Sequence, residues 1–300
     1  MKKKYVCISF FGGIGDQIFQ YSFANYLKKK LNCEIYIDLS YYSSALNYNN
    51  LKFRLRNILE NKFKINDKLL NINFKYLSYV RFIHILKLKK ISKLINNFFF
   101  KKKINRFCYE YFLENNLVEI KSYNYYYGYW HNFEFVKIVK NQLVSELLKK
   151  ILKRKKVNNF VKKMISKNSV CLHVRGGDFK YIKSNNILDE KYYKTAILNI
   201  KKLINKPEFH IFTDDIILTK RILKNLSKKN KMIFIKKYKF SDIEEFTLFS
   251  NYKYAIIANS TFSLMSSYLS MKRIISFAPK QWSFGRPLKK KKIFSKLKFI

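Results

Sequence analysis

Arg175 is the side chain in this sequence best placed to bind an anion. It follows the largely apolar run 170–174 and precedes two glycines and Asp178. Such a run is typical of a buried central strand, and a residue at the carboxyl end of a parallel strand faces the crevice where α/β sheets bind ligands. The planar guanidinium fits phosphate oxygens better than a lysine ammonium does. The segment therefore predicts a nucleotide or sugar-phosphate site, with a simple ion pair between Arg175 and Asp178 as the alternative.

Two more polar loops follow predicted strands of the same half, at 208–212 and 254–258. The loop residues are Asp214 and Asp215 after the first strand, and Asn259, Ser260 and Thr261 after the second. Because parallel strands end at one edge of a sheet, three such loops predict a ligand crevice there. Residues 259–261 also precede a predicted helix, so they are either N-capping groups or donors to a diphosphate, and both roles are compatible.

A glycine loop opens the chain. Gly12, Gly13 and Gly15 follow the apolar run 5–11, and a helical pattern begins near Asp16. The loop lacks the lysine of a P-loop and the third glycine of a dinucleotide fingerprint, so neither site is predicted. Glycines let a ligand approach the backbone closely, although an ordinary tight turn explains them equally well. Asp16 is either a proton acceptor for a reacting hydroxyl or an N-capping residue.

The order of elements predicts an α/β protein. Strands alternate with helices from residue 169 to 277, which is typical of a parallel, doubly wound sheet, and residues 5–39 form a βαβ opening. The glycine-free, lysine-rich stretch 141–167 predicts a border between domains 1–155 and 156–300. An amphipathic stripe at 77–98 either faces the core or lies on a membrane, and the aromatic cluster 123–135 either packs in the core or stacks on sugars.

Composition limits the classes of partner. The formal charge of +43 comes from 53 lysines and only nine arginines, spread along the whole chain. A nucleic-acid-binding protein is expected to concentrate arginine for base and phosphate contacts, so no specific nucleic acid is predicted. Most lysines are interpreted as solvated, with some in contact with acidic lipid. With 48 % hydrophobic residues, seven glycines and three prolines, the chain can form a sizeable core.

Other features predict a reduced, cytoplasmic protein without a metal. The four cysteines form no CxxC pair, the four histidines lack zinc spacing, and residues 1–10 do not resemble a signal peptide. The longest uncharged run, 254–271, contains too many serines and other polar groups for a membrane span.

Several motifs together resemble the α-1,2-fucosyltransferases, glycosyltransferase family eleven. Residues 12–21, GGIGDQIFQY, resemble the family's opening motif GGxGNQxFQY, and residues 173–179, HVRGGDF, resemble HxRRGDY. Further matching segments, in family order, are 127–130, 209–215, 242–269 and 279–282. The resemblance covers nearly the whole chain.

This resemblance implies a GT-B-like fold of two Rossmann-like domains with parallel sheets, the first on the acceptor side and the second binding the donor. It implies inverting, metal-independent transfer of L-fucose from GDP-β-L-fucose to O2 of a terminal galactose-type residue of a bacterial surface glycan, as in lipopolysaccharide biosynthesis. No cofactor is implied, and contact with the inner face of the cytoplasmic membrane is expected.

The resemblance also implies roles for individual residues. Arg175 would contact the donor diphosphate, His173 would lie beside the guanosine, and residues 259–261 would lie near the phosphates. The other expected donor-binding residues are Asp178, Asp214, Gly12, Gly13 and Gly15, and the expected acceptor-side residues are Gln17, Tyr129 and Trp130.

Three positions depart from the family pattern. Gly176 replaces the second arginine of the motif, Asp16 replaces an asparagine, and residues 264–265 are Leu-Met where the family has a tryptophan pair. Two other classes of function therefore stay open at this point: a basic protein that binds polyanions, and a non-catalytic sugar-nucleotide-binding fold.

Overall fold

The computed structural model describes residues 5–43, 52, 54, 55, 64–66, 107–110, 125–180, 187–282 and 295–300. Within it the chain forms two compact units, Met1–Lys140 (unit 1) and Asn141–Ile300 (unit 2). The amphipathic stripe predicted at 77–98 lies outside the described residues.

Unit 1 is built on a parallel five-stranded sheet in the order β3-β2-β1-β5-β4. Its strands are β1 Tyr5–Ser9, β2 Glu34–Asp38, β3 Lys64–Asn66, β4 Phe107–Glu110 and β5 Tyr125–Gly128. The central strand β1 pairs in parallel with both β2 and β5. The loops that follow β1 and β5 therefore start from the same edge of this sheet.

Helix α1, Ile14–Leu31, connects β1 to β2. All residues from 17 to 24 are buried, so the first half of the helix is enclosed on every side, and Leu27 is buried farther along. Three lysines in the last turn stabilise the negative end of the helix dipole. The helix ends at Asn32, whose φ of 45° gives the left-handed conformation common at helix ends.

The border between the units lies before the predicted border at 155/156. Helix α2, Phe133–Gln142, is followed by a π-helical turn, Leu143–Leu148, and by the helices α3, Lys149–Leu152, and α4, Lys155–Met164. Both α3 and α4 pack against the helix Asp242–Ser250 of unit 2, which explains why the segment from residue 141 belongs to that unit.

Unit 2 is built on a parallel six-stranded sheet in the order β11-β10-β9-β6-β7-β8. Its strands are β6 Ser169–Val174, β7 Glu208–Thr213, β8 Lys231–Phe234, β9 Tyr254–Ile256, β10 Ile275–Ala278 and β11 Leu297–Phe299. Its connecting helices are α5 Glu190–Lys201, α6 Ile216–Ile222, α7 Lys224–Ser227, α8 Asp242–Ser250 and α9 Thr261–Leu269.

Strand β6 carries the core of unit 2. All six of its residues are buried, and its apolar side chains pack with those of α5, β7 and β9. Helix α8 begins with a capping box between Ser241 and Glu244, as its acidic first turn leads one to expect. The parallel sheets and their connecting helices confirm the predicted α/β, GT-B-like class with two Rossmann-like units.

Candidate functional site

The strand order of unit 2 defines where a ligand is expected to bind. From β6 the chain proceeds outward to β7 and β8, then returns to β9 on the other side of β6 and continues to β10 and β11. This is the dinucleotide-fold order, whose ligands bind outside the carboxyl ends of the two strands at the reversal. Here those strands are β6 and β9, which are followed by Arg175 and by residues 259–261.

Asp214 binds both the side chain of Arg175 and the loop after β6. Its Oδ2 accepts a hydrogen bond from Nη1 of Arg175, and its Oδ1 accepts one from the backbone N–H of Gly176 at 2.9 Å. The guanidinium also lies over the ring of Phe179, 5.1 Å from its centroid. One carboxylate therefore fixes both the guanidinium of Arg175 and the loop that carries it. The side chain of Asp178, the predicted alternative partner, lies outside what the structure describes.

Gly176 has little room for the arginine that the family motif places there. A Cβ atom at this position would lie 2.6 Å from Cδ2 of Leu218 and 2.9 Å from Cβ of Asp215. Contacts this short require a neighbour to move. Helix α6 and its N-cap residue thus pack closely against the loop at the position where the family motif has its second arginine.

His173 is buried just before Arg175. Its ring centroid lies 5.2 Å from that of Phe262, and Tyr193 donates a hydrogen bond to its backbone carbonyl. Burial lowers the pKa of His173 to about 3; Asp214 opposes this shift and Arg175 adds to it. Its Nδ1 atom has no hydrogen-bond partner among the described residues. A buried polar atom without a partner is rare and is consistent with a ligand group that completes it.

Ser260 occupies the N-cap position of α9, but its side chain makes no capping hydrogen bond. The side-chain capping role allowed by the sequence is therefore not used by this hydroxyl. Asn259 is buried and Thr261 is half-buried at the first position of the helix. The start of α9 thus combines a hydroxyl that does not cap with the N–H groups of a helix N-terminus, a pairing suited to an anion.

The glycine loop of unit 1 follows its central strand β1. Gly12 has a φ of 79°, a conformation that side chains disfavour, and Gly13 is the N-cap residue of α1. A Cβ atom on Gly13 would meet nothing within 4 Å, so the backbone faces open space there. Gly15 is buried in the first turn of α1.

Gln17 braces this loop from inside unit 1. Its Nε2 donates to the carbonyls of Gly12 and Lys52, at 3.2 and 2.9 Å, and its Oε1 accepts from the N–H of Arg54. The side chain is fully buried. The structure therefore places Gln17 behind the loop as a support, rather than on the acceptor-facing surface expected from the sequence.

Asp16, in the first turn of α1, pairs with His131, which follows strand β5. The distance between Asp16 Oδ1 and His131 Nε2 is 3.0 Å, and both side chains are partly exposed. Asp16 lies in the first turn of α1, and Gly13 takes the N-cap position, so the N-capping alternative for Asp16 is wrong. A carboxylate held by an imidazole at a partly open strand edge can accept a proton from a hydroxyl.

Tyr129 and Trp130 have different environments. Tyr129 is half-buried, and its ring lies 4.8 Å from that of Phe11. Trp130 is fully buried and stacks on Phe23 with 4.0 Å between ring centroids. Its φ of 55° is strained for a bulky residue, and this turn leads directly to His131. Trp130 therefore packs in the core and positions His131, whereas the sequence placed it on the acceptor side.

His131 is the residue of this site that sequence analysis missed. It stands 115 positions from Asp16, so no local spacing connects them. The available signals were its place in the aromatic cluster 123–135 and the carboxylate at position 16.

Among the described residues, no three His, Cys, Asp or Glu side chains come together as metal ligands. No helix in the described part of the chain is long and apolar enough to span a membrane.

Two proteins of Escherichia coli are similar in sequence to most of this chain. The chain is 27 % identical over 280 residues to a protein of Escherichia coli named alpha-1,2-colitosyltransferase, covering 90 % of each chain. It is 27 % identical over 296 residues to the O-antigen biosynthesis glycosyltransferase WbnK of Escherichia coli, covering 94 % of this chain and 95 % of the relative.

Among solved structures, the fucosyltransferase NodZ from Bradyrhizobium is similar with a TM-score of 0.47 and 12 % identity, covering 90 % of this chain and 94 % of NodZ. The model of the family described as Glycosyl transferase family 11 matches residues 5–297. Nearly the whole chain is included in that match, so the protein belongs to glycosyl transferase family 11.

Proposed function

We propose that this protein is an inverting, metal-independent transferase that moves L-fucose from GDP-β-L-fucose to O2 of a terminal galactose-type residue of a bacterial surface glycan. Family membership supports glycosyl transfer, and the relatives named for colitosyl transfer and O-antigen biosynthesis support a surface glycan. The observation that carries the proposal is the reversal of strand order in unit 2 between β6 and β9, the strands that precede Arg175 and the start of α9.

In the proposed donor site, Arg175 binds the diphosphate. Asp214 fixes one nitrogen of the guanidinium, which leaves the fork oriented before the donor arrives. Ser260, Thr261 and the N-terminal N–H groups of α9 add neutral donors. His173 stays uncharged because of its burial, so it contributes a hydrogen bond from Nδ1 and does not add a second charge.

The chemistry needs these groups most when the donor bond breaks. The bond between the anomeric carbon and the diphosphate oxygen gives both its electrons to that oxygen, and negative charge develops on the leaving GDP. Preoriented cations and N–H dipoles stabilise such charge more in the transition state than in the ground state. Arg175 and the helix N-terminus can supply this stabilisation, so the proposed reaction requires no metal ion.

The same step releases a proton from the acceptor. The acceptor O2 forms a bond to the anomeric carbon on the face opposite the leaving GDP, and its hydrogen passes to the carboxylate of Asp16. His131 donates to Oδ1 of Asp16 and keeps Oδ2 oriented. In this proposal Asp16 is the catalytic base and His131 is a positioning residue. Tyr129 is the one acceptor-side residue we retain, because its ring is half-buried rather than part of the core.

A second donor is supported by the relative named alpha-1,2-colitosyltransferase. Colitose lacks the hydroxyl that fucose carries on carbon 3. A site that hydrogen-bonds this hydroxyl rejects the analogue by about 10⁴-fold or more, whereas a purely apolar contact discriminates weakly. Competition between the two GDP-sugars in one reaction therefore shows which donor the protein prefers.

The test is incubation of the purified protein with GDP-fucose or GDP-colitose and a panel of galactosyl acceptors, with the product linkage determined by NMR. We expect an α-1,2-linked fucoside, formed about 10²–10³-fold more slowly by the Arg175→Ala variant. If only a colitose-linked product formed, the donor would be GDP-colitose and the GDP-fucose assignment would be wrong. A linkage to another hydroxyl would refute the O2 assignment, and hydrolysis of donor without transfer to any acceptor would refute the acceptor class.

A further inference from the structure

The loops that precede the strands of unit 2 form a surface opposite the candidate donor site. We call them the amino-edge loops; in their described part they comprise residues 165–168, 202–207, 228–230, 251–253, 270–274 and 295–296. These residues include no aspartate or glutamate. They include eight lysines, all exposed: Lys167, Lys202, Lys206, Lys228, Lys229, Lys253, Lys272 and Lys296. These loops are therefore strongly basic, and Glu208, the first residue of β7 at the same edge, is paired with Lys231.

Hydrogen bonds join two pairs of neighbouring amino-edge loops. The N–H of Ile274 donates to the carbonyl of Lys253 at 2.8 Å, and Nδ2 of Asn168 donates to the carbonyl of Asn205 at 3.1 Å. Adjacent strands lie about 4.8 Å apart, so six strands give a row on the order of 24 Å long. The lysines thus lie along one rigid edge of the sheet.

Apolar side chains protrude from the same row. Met271 is 65 % exposed, Ile274 is 54 % exposed and Leu203 is 52 % exposed. Lysine at helix carboxyl ends is explained by the helix dipole, but that effect does not account for exposed aliphatic side chains. Lysines that surround protruding aliphatic groups are the chemistry of a surface that binds anionic lipid, because the lysines attract headgroups while the apolar tips enter the acyl boundary.

The same loops are poorly suited to nucleic acid. Their one described arginine, Arg273, is buried and donates to Cys171 and to the carbonyl of Phe249. Their one described aromatic residue, Tyr252, is also buried. No side chain of the described row can therefore fork onto a base or stack on one.

We propose that the amino-edge loops of unit 2 dock the protein on an anionic lipid bilayer, the inner face of the cytoplasmic membrane. The carboxyl edge of the same sheet, with Arg175 and the start of α9, then points away from the lipid. This proposal does not depend on the identity of the donor sugar, because it rests on the opposite edge of the sheet.

The test is co-sedimentation with vesicles of phosphatidylcholine that contain about 30 % phosphatidylglycerol, or none, at about 0.05 and 0.5 M salt. The edge variant carries Lys206→Glu, Lys253→Glu and Lys272→Glu. The control variant makes the same change in net charge at exposed lysines of α5 and α6: Lys191→Glu, Lys194→Glu and Lys220→Glu. We expect the edge variant to lose at least about tenfold in partitioning to anionic vesicles, and the control less than about threefold.

A second variant, Met271→Ser with Ile274→Ser, tests the apolar contribution. It is expected to weaken the binding that persists at high salt, where lysine contacts are screened. Equal losses in the edge and control variants would overturn the proposal, because net charge alone would then explain binding. Tighter binding of a DNA duplex than of anionic vesicles at equal salt, or failure of the wild type to bind anionic vesicles, would also overturn it. Unfolding temperatures close to that of the wild type verify that the variants fold.

Discussion

Each of the two units pairs an acid with a basic side chain near the carboxyl edge of its sheet, but the basic partner differs. In unit 2, Asp214 binds Arg175, which is charged at every accessible pH. In unit 1, Asp16 binds an imidazole nitrogen of His131. The difference suggests a division of labour: a guanidinium for a diphosphate, and a carboxylate held by an imidazole for the proton of a hydroxyl.

The environments of the two pairs are otherwise alike. The four side chains are between 16 and 29 % exposed, and each pair lies next to a glycine-bearing loop after a central parallel strand. Burial alone therefore does not distinguish them. The chemical nature of the partner does. The predictions for Arg175, Asp16, His131 and Asp214 each change one member of one pair.

The largest effect is expected for Arg175. Arg175→Ala should lower kcat with GDP-fucose by about 10²–10³-fold, because the charge on the leaving diphosphate loses its preoriented cation. Arg175→Lys should also be impaired, since a point charge replaces a planar fork. Steady-state kinetics of both variants test this. Near-normal turnover in the lysine variant would contradict the assigned role.

The corresponding change in unit 1 is Asp16→Asn, which keeps the shape of the side chain but removes the carboxylate. We expect kcat to fall about 10²-fold with little change in donor affinity, because base catalysis is lost and the donor site of unit 2 is untouched. Kinetics and calorimetry with GDP measure the two quantities. Wild-type kcat in this variant would remove Asp16 from the mechanism.

His131 provides the matched control for that variant. His131→Gln retains a side-chain N–H that can donate to Asp16, whereas His131→Ala does not. A positioning role predicts a clearly larger loss of kcat in the alanine variant. Equal losses, with an unchanged unfolding temperature, would mean that the imidazole acts in some other way.

The comparison also shows what the sequence could predict. Arg175 and residues 259–261 were predicted together because short apolar strands alternate with helices, and parallel strands bring their carboxyl ends to one edge. The strands β7 and β9 begin at the predicted residues, and β6 begins one residue before the predicted run 170–174. The short strands β3 and β11, of three residues each, were missed because so few residues carry no recognisable alternation.

The structural roles in unit 1 depend on long-range contacts and could not be predicted in this way. Gln17 is held by backbone groups of Lys52 and Arg54, and Trp130 by the face of Phe23. Neither partner follows from local spacing. Tyr129 and Trp130 are adjacent aromatic residues that the sequence does not distinguish. In the structure Tyr129 is half-buried, whereas Trp130 is completely buried.

A smaller effect is expected for the acid of unit 2. Asp214→Asn keeps one acceptor oxygen but loses the charge that fixes Arg175, and a charge-assisted hydrogen bond is worth about 1.5 kcal/mol or more. We expect about tenfold lower kcat/KM, most of it from weaker positioning of the guanidinium. Kinetics with GDP-fucose test the prediction. If the variant were as inactive as Arg175→Ala, Asp214 would itself be essential to the chemistry, and the contrast between the pairs would be lost.

The smallest effect is expected for His173, and it concerns the pH dependence of stability. Burial lowers the pKa of His173 to about 3 in the folded protein, whereas an unfolded histidine titrates near 6.5. Between these values the unfolded chain binds the proton more readily, so protonation favours unfolding as the pH falls from about 6.5 to about 3. The slope from this one residue is at most about 1.4 kcal/mol per pH unit. In His173→Gln the free energy of unfolding should therefore fall less steeply with decreasing pH over this window. Chemical denaturation of both proteins at several pH values measures the difference, and parallel curves would show that His173 is not held neutral by the fold.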